Sequence, residues 1–147
     1  MGVESNTHSN PMLFGSAKLC NMSSEFIASR FVLAVRNLRI STDFYMNVLG
    51  FKRDFGDESD GWSFLSRNSV RLMLGECVDE VSASELNNHS YFAYMNVTSV
   101  DDLFEEIVSN GGVPTSHPTN KPWGLREFSI TTPDGHRIMF GETLNTQ

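Results

Sequence analysis

Pro122-Trp123-Gly124-Leu125-Arg126-Glu127-Phe128, then Thr132-Pro133-Asp134-Gly135, then Arg137-Ile138-Met139-Phe140-Gly141-Glu142: this stretch decides the fold. Pro-Asp-Gly between two alternating runs predicts a hairpin, because Pro presets φ and Gly accepts φ > 0. The last six residues have a twin in Arg71-Leu72-Met73-Leu74-Gly75-Glu76. A repeat of this length implies two copies of one folding unit. Phe31-Val32-Leu33-Ala34-Val35 is an apolar, β-rich run, and Phe92 to Val97 is its partner. A helix follows each. The first is expected from Ser41 as N-cap, with Phe44, Tyr45, Val48 and Leu49 on its apolar stripe. The second is expected from Ser99, with Asp102 close to a capping box and Leu103, Phe104, Ile107 and Val108 inward. Gly50 and Gly111-Gly112 close the two helices.

Each unit is therefore read as a strand, a helix and a three-strand meander. In unit one the meander is Phe51–Phe55, Trp62–Leu65 and Val70–Leu74, turning at Asn68. In unit two, Thr115–Lys121 carries Pro118 and is expected to be irregular or an edge. Strand alternation gives both sheets one uniformly apolar face, which must meet the helices. The opposite faces mix Arg, Tyr, Asn and Met, and suit solvent or a cavity.

The chain of 147 residues suits one domain, or two small halves sharing a core. Residues 1–28 read as a flexible tail or arm, in which Met12, Leu13 and Phe14 are the candidate anchors. Unit one spans 29–76, a linker 77–89 and unit two 90–143. No apolar run reaches membrane-span length, no signal peptide is legible, and Asn6 breaks a myristoylation pattern. Cys20 and Cys77 lack zinc spacing and are expected reduced, in a cytoplasmic protein. A net charge of −7 argues against nucleic acid and anionic membrane as partners.

Two βαβββ units with Asp43-Phe44-Tyr45, Leu49-Gly50-Phe51 and Pro133-Asp134-Gly135 resemble the vicinal oxygen chelate superfamily, which unites glyoxalases, bleomycin resistance proteins and dioxygenases. Pro122-Trp123-Gly124 with Arg126, Glu127 and Phe128 resembles its bleomycin-resistance branch, although Thr132 stands where that branch usually has an acidic residue. The resemblance implies an α+β fold of paired half-barrels, a curved mixed sheet around a cleft, and a homodimer with clefts at its interface. It also implies four metal-ligand positions, which fall here on Arg30, Met73, Phe92 and Met139. None offers a hard or borderline donor. No metal, cofactor or catalytic residue is therefore expected.

The expected activity is metal-independent binding and sequestration of a small, antibiotic-like molecule, cationic or aromatic. The alternatives are a metal-dependent lyase or dioxygenase with ligands elsewhere, and an interaction protein with no pocket ligand. Trp123, Phe92, Tyr94 and Trp62 are the expected stacking surface. Arg30, Arg126 and Asn96 are the expected polar contacts, with Met73 and Met139 between them. Arg126-Glu127 reads as a rim pair, and Glu76 and Glu142 as strand exits to solvent. His8, His89, His117 and His136 read as surface residues and Cys77 as an inert thiol. The acidic turn Asp57 to Asp60 reads as solvated.

Overall fold

A computed structural model describes residues 24–145. The arm expected at residues 1–28 thus falls almost wholly outside them; residues 24–28 are exposed and belong to no helix or strand. In unit one, strand β1 (Phe31–Val35) leads into helix α1 (Leu38–Asp43), then β2 (Lys52–Phe55), β3 (Trp62–Arg67) and β4 (Val70–Glu76). In unit two, β5 (Tyr91–Asn96) leads into α2 (Val100–Ser109), β6 (Thr119–Asn120), β7 (Leu125–Thr131) and β8 (Arg137–Thr143). The sheets run β1-β4-β3-β2 and β5-β8-β7-β6. In both, the first strand pairs in parallel with the last, so each meander folds back to meet its own beginning.

The alternation works as expected. Leu33, Val35, Leu65, Leu72 and Leu74 from sheet one join Phe128, Ile130, Ile138 and Phe140 from sheet two in a single buried core. Helix α2 presses Leu103 and Ile107 into it, while Val108, expected inward, is exposed. Phe104 meets Phe128 edge to face at 5.4 Å. Burying each such side chain contributes roughly 1.5–3 kcal/mol.

Helix α1 corrects the sequence reading. Its N-cap is Asn37, whose Oδ1 accepts the Ile40 N–H at 2.9 Å. Ser41 lies inside the helix, buried, with its hydroxyl on Asp134. The helix then widens into a π turn at Phe44–Val48, so its inward residues are Leu38, Ser41, Thr42 and Tyr45. Ser99 does occupy the N-cap position of α2, but its hydroxyl donates to Asp102 rather than capping the backbone.

The twin hexapeptides explain what caps the helices instead. Glu76 Oε2 accepts the Leu38 N–H at 2.9 Å, and Glu142 Oε2 accepts the Val100 N–H at 2.9 Å. Both glutamates, expected to mark exits to solvent, sit at helix N-termini, where the dipole favours negative charge. The glycine before each is a seat for a ring. A Cβ on Gly75 would come within 2.7 Å of the Trp62 ring, and one on Gly141 would overlap the Tyr94 hydroxyl.

The Pro-Asp-Gly turn joins the halves. Asp134 Oδ1 accepts the Arg36 N–H at 2.8 Å, Oδ2 accepts the Ser41 hydroxyl, and the Asp134 carbonyl accepts from Ser82. Gly135 holds φ at 87°, and a Cβ there would lie 2.4 Å from the Ser84 nitrogen. Only glycine fits that approach.

Candidate functional site

The outward face of sheet two forms a shallow, open depression of about 510 Å³, lined chiefly by Tyr91, Phe92, Tyr94, Trp123, Glu127 and Met139. Strand alternation brings these residues together. Tyr94 pairs with Met139 across β5 and β8, and Glu127 pairs with Gly141 across β7 and β8. A register shift between Tyr91 and Ala93 sets Phe92 at the margin, edge to face with Phe31 at 5.6 Å and His136 at 5.8 Å. Trp123 sits in the turn before β7, where Gly124 takes φ 83° and the Gly124 N–H closes onto the Lys121 carbonyl.

Glu127 is the centre of this face. It is only 6% exposed. Its Oε1 accepts the Tyr94 hydroxyl at 2.8 Å and the Trp123 indole N–H at 3.0 Å. These bonds fix both rings around the carboxylate. Desolvation, followed by the hydrogen bond and the charge of Glu127, pushes the Tyr94 phenol up to about 12. Tyr94 is thus a neutral donor at physiological pH rather than a base.

Sequence reasoning missed Glu127 as a site residue and paired it with Arg126 at a rim. The two point to opposite faces. Arg126 makes a bidentate bond to Asp101 on α2, both distances 2.8 Å, and a further one to Asn120. That pair holds the Asp101 carboxyl below its usual range. Arg126 therefore lies outside the cavity. The available signal was strand parity from Met139 through its neighbours, which puts Glu127 on the cleft face.

The other expected contacts divide between two further places. Arg30 lies over the Phe64 ring at 5.6 Å, Phe64 pairs with Met73, and Phe55 stacks on Phe64 at 4.1 Å. With Trp62 on Gly75, they form an aromatic face on sheet one that mirrors the cavity on sheet two. Asn96 instead borders a groove between the β3–β4 turn and the start of α2. There Arg67 donates to the Leu49 carbonyl at 2.7 Å and to Glu106 at 2.9 Å.

The four expected metal positions do not fit a divalent ion. Arg30 is a cation, Phe92 has no donor atom, and Met73 and Met139 are soft thioethers. Among the described residues, no three His, Cys, Asp or Glu cluster closely enough to hold a metal ion. Asp57 binds its own turn through Ser59 and Asp60, which keeps its carboxyl below the usual range.

His89 and His117 are exposed, as expected, whereas His136 is half-buried beside Phe92 with its Nδ1 unpartnered. His8 lies outside the described residues. Burial lowers the His136 pKa, with Asp134 partly opposing. An unfolded histidine titrates near ~6.5, so below that pH the unfolded state binds the proton more readily and stability falls. The loss ends below the folded-state value, where both states are protonated. Thermal melts from pH 8 to 5 should show this decline, and His136→Asn should flatten part of it.

The family model for the Glyoxalase/Bleomycin resistance protein/Dioxygenase superfamily matches residues 27–140. No curated protein matches the chain by sequence. Solved structures do match its fold. An integron cassette protein from the mobile metagenome of a Halifax Harbour sewage outfall superposes with a TM-score of 0.63 at 24% identity, covering 79% of this chain and 99% of its own. The bleomycin-binding protein of bleomycin-producing Streptomyces verticillus, solved with copper(II)-bleomycin, gives 0.60 at 23% identity over 84% and 100%. An antibiotic binding protein from another Streptomyces gives 0.59 at 19% identity over 80% and 97%. With two βαβββ units sharing one core and a family model spanning both, the chain belongs to the glyoxalase/bleomycin resistance protein/dioxygenase superfamily.

Proposed function

We propose that this protein binds and sequesters a small organic molecule on the aromatic face of sheet two, acting in the cytoplasm without metal or covalent chemistry. The observation that carries the reading is the Tyr94–Glu127–Trp123 arrangement in the wall of a cavity of about 510 Å³. That volume suits a drug-sized compound. The face is rich in rings and holds no cysteine, serine or histidine poised as a nucleophile with a base. The bleomycin-binding and antibiotic binding proteins from Streptomyces that share this fold favour a compound of that class.

Nile red, a planar uncharged dye, is the first probe. It should brighten on binding and quench tryptophan emission. Trp123→Ala should weaken binding by roughly 1–3 kcal/mol, about 5- to 150-fold, the range for an aromatic contact in a desolvated site. It should leave the melting temperature nearly unchanged, because the ring is 62% exposed. A variant that binds normally but melts far earlier would make Trp123 structural and overturn this reading.

The working form is a homodimer. Phe31, Val32, Phe55 and Trp62 on sheet one, and Tyr91, Tyr94 and Trp123 on sheet two, are all more than a third exposed. A lone chain thus leaves two apolar faces uncovered, a pattern that marks an interface. A two-fold dimer can set the aromatic face of sheet one against the cavity of its partner's sheet two. Light scattering at micromolar concentration should return twice the chain mass. A clean monomer would sink the dimer.

A further inference from the structure

Glu127 has a chemistry that a purely aromatic cleft does not need. Glu127 is 6% exposed, so its carboxylate is drawn largely out of water, a cost that a cation beside it would offset. The ion pairs among the described residues are Lys52–Asp54, Arg53–Glu58, Arg67–Glu106 and Arg126–Asp101. None includes Glu127. Its two hydrogen-bond donors, a phenol and an indole, are neutral, and both use Oε1. Among the described residues Oε2 accepts no hydrogen bond.

The two arginines on the strands of sheet two are committed elsewhere. Arg126 is clamped to Asp101 and Asn120. Arg137 bonds Ser90 and the Asn87 carbonyl, and its guanidinium covers the Tyr91 ring at 4.0 Å. Among the described residues, then, no Lys, Arg or His stands within ion-pair distance of a carboxylate that faces a ring-lined depression.

We propose that this cavity receives a substituted ammonium group, with Glu127 as counter-ion and the rings of Tyr94, Trp123 and Phe92 as its walls. This rests on the sequestration reading and names the chemistry of the ligand's anchoring end. A tertiary or quaternary ammonium is weakly hydrated and fits an aromatic enclosure, where ring faces attract positive charge. Burial of the carboxylate strengthens that attraction relative to water. The hydrogen bonds from Tyr94 and Trp123 hold the rings in place before the ligand arrives, which lowers the ordering cost of binding. An anionic ligand would meet Glu127 unfavourably. The net charge of −7 draws cations toward the molecule.

The test uses choline and its uncharged isostere 3,3-dimethylbutan-1-ol, titrated against the full chain in roughly physiological salt so that diffuse surface charge is screened. Binding is followed by isothermal titration calorimetry in every variant, and in the wild type and Glu127→Gln also at the Trp123 indole N–H resonance, assigned with Trp62→Phe. Choline should bind at least tenfold more tightly than the alcohol. Glu127→Gln keeps an oxygen to accept from Tyr94 and Trp123, and should erase the difference. Trp123→Leu, which leaves the carboxylate but removes a wall, should weaken choline at least fivefold, and it decides the matter should Glu127→Gln fail to fold. Equal affinity for the two probes in the wild type, or a preference for choline that survives in Glu127→Gln, overturns the proposal. Nile red separates the two levels. A wild type that binds Nile red without preferring choline keeps the sequestration reading and loses this one. A wild type that binds neither loses both.

Discussion

Phe128→Ala is expected to lower the stability of the fold by about 3–5 kcal/mol, the range for truncating a fully buried aromatic ring. Phe128 is fully buried on β7. Its ring lies 5.4 Å from Phe104 on α2 and 5.1 Å from Phe140 on β8. It is thus the piece through which the helix and the sheet of unit two meet. Phe140 stands on a strand hydrogen-bonded to β7 and Phe104 on a packed helix, so neither collapses freely into the space it leaves and the cavity term remains. A domain of this size has roughly 5–15 kcal/mol in all, so the variant should stay folded but marginal. Urea denaturation should show a much lower midpoint with the slope unchanged. Val108→Ala on the exposed side of α2 is the control and should stay within about 0.5 kcal/mol. A loss under about 1 kcal/mol for Phe128→Ala would mean that α2 does not pack on sheet two as described.

Asp134→Ala should cost about 2–4 kcal/mol, because two hydrogen bonds to a charged carboxylate go at once and each is worth about 1.5–3 kcal/mol before solvent screening. One partner is the Arg36 backbone N–H; the other is the hydroxyl of Ser41, which is 1% exposed and would be left without a partner. Asp134→Asn keeps an acceptor for one donor and should lose less. A double-mutant cycle with Ser41→Ala isolates the contact, since removing both groups spares the orphaned hydroxyl. A coupling energy near zero would show that the turn of unit two does not hold the helix of unit one.

The fold was legible because its repeat is written in residues whose roles are backbone-deep. Pro133-Asp134-Gly135 can only turn, and the alternation of Leu72, Leu74, Ile138 and Phe140 can only face one core. The start of α1 was not legible. Asn37 and Ser41 are both good caps, and what decides between them is Asp134, distant in sequence, which takes the Ser41 hydroxyl into the interior. The site was half legible. Trp123, Tyr94, Phe92 and Met139 do line one cavity, while Arg30, Met73 and Trp62 lie on the other sheet. Arg126 and Asn96 lie elsewhere again, since a residue type says what a side chain can do and strand parity says where. Glu127 was passed over because a charged residue beside an opposite charge invites pairing in sequence, and a strand separates such neighbours onto opposite faces.

The glutamates that close the two sheets have a consequence for the order of synthesis. The first amide of α1 waits for Glu76, 38 residues downstream, and that of α2 waits for Glu142, 42 residues downstream. On a ribosome adding about 5–20 residues per second, each helix therefore spends roughly 2–8 s without its glutamate, α1 held meanwhile by its Asn37 cap alone. Glu76 can close α1 while unit two is still being made, but Ser41 and the shared core wait for Asp134 and sheet two. Unit two closes later still, because its latch, Glu142, follows Glu76 by 66 residues. Nascent chains stalled just short of Glu142 should leave the start of α2 open to proteolysis, and chains extended past Glu142 should close it.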